Sequence, residues 1–146
     1  LSNVEEIKER IEAKRKARSD KAGEQAVKDW EAYEAACETH GYDACSRLIF
    51  PRFVEGLPTF AVVHAAPSDL VRIHRQRIIK GKRDKQGNPD PAVAGNAARE
   101  VGRACLAYPE ADMLDAVREQ YPDFEMDAGV AALQLSRVQA EEEGKE

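Results

Sequence analysis

The chain has 146 residues, 34% charged, 42% hydrophobic and only 6% aromatic, with a formal net charge of −5. A domain of this size buries about 70% of its unfolded surface, and an Ala-rich, aromatic-poor composition favours packed helices over a β-sandwich. No apolar run approaches the ~18 residues of a membrane span and no signal peptide opens the sequence, so a membrane location is not expected.

Ser2-Asn3-Val4-Glu5 reads as a capping box that starts a helix. Val4, Ile7 and Ile11 share one face of it, but Lys14, Arg15 and Arg18 then take that face over. A short stripe on a charged helix predicts a projecting arm over residues 1–21. Ser19, Asp20 and Gly23 weaken helicity at its base, although one helix running to Thr39 stays open. From Ala22 a packed segment is expected, with Ala26, Trp30, Tyr33 and Cys37 inward and His40-Gly41 at its end.

Two short strands follow, Ser46 to Val54 and Thr59 to Ala65, forming a β-hairpin. Pro51 cannot donate to a ladder, so the first should be an edge strand or bulged. Pro67 begins a helix that runs to about Lys80, with Leu70, Val71, His74 and Ile78 in one apolar stripe. Gly81 to Pro91 has almost no apolar content and reads as a mobile loop. Asp90-Pro91 is a helix start, N-cap then first turn. Val93, Ala97, Val101, Ala104, Cys105 and Tyr108 form the cleanest stripe in the chain, and Gly95, Ala98 and Gly102 keep an adjacent face small enough for a close helix neighbour. Pro109 ends it. A short helix carries Met113, Leu114, Val117 and Tyr121 up to Pro122.

The last helix, about Phe124 to Ala140, has two apolar faces: Met126, Val130 and Leu133 on one, Phe124, Ala131, Leu135 and Val138 on the other. One serves the core; the second needs another helix of this chain or a partner protein. Residues 141–146, EEEGKE, form an acidic tail expected to fray. The fold class expected is therefore mostly α (α+β): a single helical domain over residues 22–140 with one small β-hairpin, preceded by the helical arm. Val62, Leu70, Val101, Cys105, Leu114 and Val117 are the expected core.

Chemistry is sparse. Cys37-x2-His40-x4-Cys45, with Asp43 or His64 as a fourth donor, has metal-ligand residue types but only one loose half of a structural zinc pattern. Buried, inert cysteines and a helix-ending His40 fit it better, and Cys105 reads as a third reduced thiol. His74 reads as a hydrogen-bonded core histidine, and His64 has no nucleophile beside it in sequence. No phosphate loop, metalloprotease helix or nucleophile elbow is present, so no catalytic residue, metal or cofactor is expected. The basic run Arg72, Arg75, Arg77, Lys80, Lys82, Arg83 and Lys85 could meet phosphates, but few aromatics interleave it and the chain is acidic overall. A solvated face or an acidic protein surface suits it better. Charge is blocked along the chain: residues 67–85 hold seven basic and two acidic groups, and residues 86–146 hold five and thirteen.

From Ala61 onward the order of elements resembles the tail assembly chaperones of long-tailed bacteriophages. The resemblance rests on VVHAAPSDLVRIHRQRI, a polar loop, then NAAREVGRACLAYPEADMLDAVREQYPDF. A strand feeds a Pro-initiated helix with a basic outer face, an Ala-rich helix ends in Ala107-Tyr108-Pro109, and a short helix closes on Tyr121-Pro122. It covers about residues 57–135 and departs at Pro122-Asp123, where the family often has Pro-Gly. It implies a non-enzymatic protein of the bacterial host's cytoplasm that coats the helical tape measure protein and assists tail tube protein polymerisation. The expected partner-binding residues are Val4, Ile7, Ile11, Met126, Val130 and Leu133, with a second copy of the chain as a further partner. The alternative is a nucleic-acid-binding or head–tail connector protein that uses residues 72–85.

Overall fold

The computed structural model describes residues 3–143, so Ser2 of the capping box and residues 144–146 of the acidic tail lie outside the described residues. The fold is mostly α with a small antiparallel sheet. In order, the chain forms α1 (Asn3–His40), β1 (Cys45–Ile49), β2 (Phe60–His64), α2 (Ser68–Lys80), α3 (Pro91–Cys105), β3 (Leu106–Tyr108), α4 (Leu114–Gln120) and α5 (Phe124–Glu143).

α1 is one helix of 38 residues, unbroken at Ser19, Asp20 and Gly23. The cost of an exposed helical Gly, about 1 kcal/mol, is small once the helix is nucleated by packing further along. Gly41 ends it with φ +104, its amide donating to the Cys37 carbonyl at 2.7 Å. The packed side of α1 matches the expected one only in part: Cys37 is buried and Tyr33 packs against the core. Asp29, Ala36 and Cys37 are buried, whereas Trp30 is 47% exposed. Trp30 instead flanks the core, edge-on to Tyr33 and Phe60, with the Arg47 guanidinium 4.2 Å over its ring.

The sheet has the order β1-β2-β3, which leaves β1 as an edge strand. β1 stops at Ile49 because Pro51 has no N–H to continue the ladder, and β2 begins only at Phe60, so both strands are shorter than expected. The third strand corrects the hairpin. Leu106 and Tyr108, read above as the tail of the Ala-rich helix, pair instead with Val63 and Val62 of β2. Pro109 disfavours helix at Tyr108, and the open edge of β2 offers partners to an extended segment. The Tyr108-Pro109 bond is cis.

α3 starts as its sequence dictates, with the Asp90 carboxylate accepting from the Ala92 amide at 2.9 Å and Pro91 in the first turn. The segment before it is a defined turn rather than a featureless loop: Asp84 accepts from the amides of Gln86 and Asn88, and Arg83 bridges to Pro89. α3 and α5 cross in near-contact. A Cβ on Gly102 would lie 1.9 Å from the Glu125 carbonyl oxygen, and one on Gly129 would lie 1.8 Å from that of Ala98. Around this crossing Val63, Val101, Cys105, Ala128 and Ala132 form one core cluster, and Phe50, Leu57, Ala61, Val117, Tyr121 and Phe124 form another. Of the expected core, Val62, Val101, Cys105 and Val117 are buried; Leu70 and Leu114 pack at its margin.

Candidate functional site

The first surface of interest is the arm. Every described residue from Asn3 to Lys21 is exposed, and burial begins at Ala22. Besides the apolar contacts of Ala36 and Cys37, α1 is anchored to the body by the Asp29 carboxyl, which has no exposure. It accepts from the Tyr108 hydroxyl at 2.5 Å, the Thr59 amide at 2.7 Å, the Thr59 hydroxyl at 2.5 Å and the Gln25 side-chain amide at 2.9 Å. Helix, hairpin and β3 therefore meet on one residue. Burial, then the bond to Asp29, pushes the Tyr108 hydroxyl up so that it stays a donor. Arg18, donating to the Phe53 carbonyl, and Lys21, paired with Glu55, mark where the arm leaves the body.

Direction matters here. At 100° per residue Val4, Ile7, Ile11, Arg18, Gln25, Asp29 and Ala36 fall within an arc of roughly 60°. The arm's apolar stripe is thus a continuation of the side of α1 that faces the body, carried past the body's edge. Val4, Ile7 and Ile11 are 59%, 45% and 44% exposed.

The second surface is a groove of about 850 Å³ between α2 and the C-terminal half of α5, closed at one end by the last turn of α1. It exists because the stripe on α2 is only half used. Leu70 and Val71 reach the core, but no residue of α2 is buried, and Val71, Ile78 and Ile79 line the groove opposite Leu133. Ile79 is 61% exposed. Arg75 and Arg137 stand in its lining, which holds no carboxylate among the described residues. The floor is pinned: the Ala66 amide donates to the Ala132 carbonyl at 3.1 Å, and the Ser136 hydroxyl donates to the Ala66 carbonyl.

All three histidines of the chain border this groove. His40 and His64 stack with ring centroids 4.1 Å apart. Burial, and then the neighbouring His64, hold His40 below its ordinary value; burial and then Arg77 do the same to His74. His74 is half-buried and has no hydrogen-bond partner among the described residues, contrary to the expected bonded core histidine.

Both faces expected of α5 are partly covered by the body. Its buried side is Phe124, Glu125, Ala128, Gly129 and Ala132. Met126 lies toward Gly95 of α3 and Leu133 against the core, leaving Val130, 55% exposed, as the open member of its group. Glu125 is buried at one end of the α3–α5 crossing. Burial alone would raise its carboxyl, but bonds from Arg118 at 2.5 Å and Arg103 at 2.9 Å outweigh that and hold it below the usual range.

Two members of the basic run are bonded within the chain. Arg77 pairs with Glu100 of α3 and Arg83 is bonded to the Gly87 carbonyl, while Arg72, Arg75, Lys80, Lys82 and Lys85 are exposed. Cys37, Cys45 and Cys105 are free and buried, and burial pushes the Cys45 and Cys105 thiols up to about 11, away from reactivity. Among the described residues no group of three or more His, Cys, Asp or Glu side chains is placed to hold a metal ion. No described helix is long and apolar enough to cross a membrane.

The sequence reading missed Asp29 and the groove. The first left a signal, since residues 22, 25, 29, 32 and 36 recur at helical spacing beside the stripe that was followed. The second left none in one helix alone, because it depends on how far α5 stands from α2. No protein-family profile, curated protein or solved structure matches the chain.

Proposed function

We propose that this chain is a non-enzymatic tail assembly chaperone of the long-tailed phage kind. It acts in the cytoplasm of the bacterial host and holds the tape measure protein while tail tube subunits polymerise around it. One observation carries the reading: the overhanging arm, with Val4, Ile7 and Ile11 uncovered, lies on a body whose second apolar surface, the α2–α5 groove, is also uncovered. Two separate apolar surfaces of this kind suit an amphipathic helical client, whose anchors recur every three to four residues. The resemblance over residues 57–135 supplies the identity of that client. Co-expression with a tape measure protein tests it. The chain should keep the client soluble and co-purify with it, and Ile7→Asp with Ile11→Asp should abolish recovery without altering helical content. A client equally insoluble with and without the chain would refute the reading.

A further inference from the structure

The arm carries a charge pattern as well as an apolar stripe. Measured from the middle of the arc that holds Val4, Ile7 and Ile11, Arg15 and Lys8 stand roughly 50° and 70° to one side, and Lys14 and Arg10 roughly 50° and 90° to the other. Glu5, Glu6, Glu9 and Glu12 all lie more than roughly 100° away, on the back of the helix, and Lys16 joins them there. The body-facing side of the arm is thus an apolar ridge between two basic rows. Lys8, Arg10, Lys14 and Arg15 are exposed, and none has an ion pair among the described residues. The ridge runs into a cleft of about 440 Å³ where the arm leaves the body. Arg18, Arg52 and the half-buried Phe53 and Val54 line it. Glu55, the one carboxylate in that lining among the described residues, is paired with Lys21.

This layout disfavours three occupants. The arm of a second copy would set basic row against basic row in either orientation. A flat lipid surface laid along the ridge would run into the body, which stands on the same side of α1. A phosphate backbone would meet the apolar ridge before the charges. We propose that the arm takes an acidic amphipathic helix of another protein, about four turns of which lie along residues 3–17 and end at the cleft. Its apolar stripe packs on Val4, Ile7 and Ile11, and carboxylates on both of its flanks face Lys8, Arg10, Lys14 and Arg15. One helix, about 10 Å across, fits beside an overhang roughly 22 Å long. This rests on the function proposed above in taking the arm's ligand to be a helix, and adds the charge by which the arm selects it.

Two synthetic peptides test it against the full chain by fluorescence anisotropy. Both carry the same Leu stripe at helical spacing; one has Glu on the flanks of the stripe and the other has Lys. The Glu peptide should bind about tenfold more tightly, and the margin should shrink as salt rises. Lys8→Gln, Arg10→Gln, Lys14→Gln and Arg15→Gln together should erase the preference with helical content unchanged. Ile7→Asp with Ile11→Asp should lose both peptides. Equal binding of the two peptides by the parent chain overturns the proposal. So does Glu-peptide binding that survives Ile7→Asp with Ile11→Asp, which would put the peptide on another surface, or tighter binding to phosphatidylserine vesicles or duplex DNA. A chain that prefers the Glu peptide yet leaves a tape measure protein insoluble keeps this selectivity and loses the tail-assembly role. One that keeps that protein soluble and shows no preference does the reverse.

Discussion

Asp29 shows what one buried carboxyl can do. Four donors converge on it from α1, the β1–β2 connection and β3, and none is an Arg or Lys. Removing it orphans the Thr59 amide and the Tyr108 hydroxyl in a part-buried site, at a cost of roughly 1–3 kcal/mol for each group left unsatisfied. Asp29→Ala should therefore lower stability by about 3 kcal/mol in urea titration. Asp29→Asn should recover only part of this, because its NH2 would face a donor. A loss well under 1 kcal/mol for Asp29→Ala would mean that α1 is held by apolar contact alone. Sequence concealed this residue for a physical reason: a polar side chain on a charged helix looks solvated until its donors, 30 and 79 residues away, are known.

Between elements, the α3–α5 crossing was the most legible feature. Gly95, Ala98 and Gly102 announced a close neighbour, and the partner's Gly129 and Ala128 supply the other half. Gly129→Ala would drive a methyl into the Ala98 carbonyl, so the helices must separate and strain the core between them. The expected cost is about 3 kcal/mol or more, read from the thermal midpoint; an unchanged midpoint would contradict the crossing. β3 was illegible for the opposite reason. Leu106 to Tyr108 keeps the helical period of the stripe before it, and only the free edge of β2 draws it into a strand. Likewise α2 shows a full stripe in sequence, yet the packing of α5 leaves its Ile78 and Ile79 lining a groove.

At the scale of the molecule, the arm and the groove are two apolar surfaces at opposite ends of α1, and the account assigns binding to both. The short stripe of the arm was readable because Val4, Ile7 and Ile11 stand alone among charges. That it continues the body-facing side of the helix follows from the contacts of Arg18, Gln25 and Asp29 with the body, which no sequence pattern shows. Amide hydrogen exchange on the full chain, compared with and without a bound tape measure protein, tests the central claim most directly. Residues 3–13 should exchange at the rate of an unsupported helix when the chain is alone and slow when the client is bound. Residues 71–79 and 133–140 should slow in step, with the amides of β2 and α3 unchanged. An arm and a groove whose exchange is the same with and without the client would contradict the account.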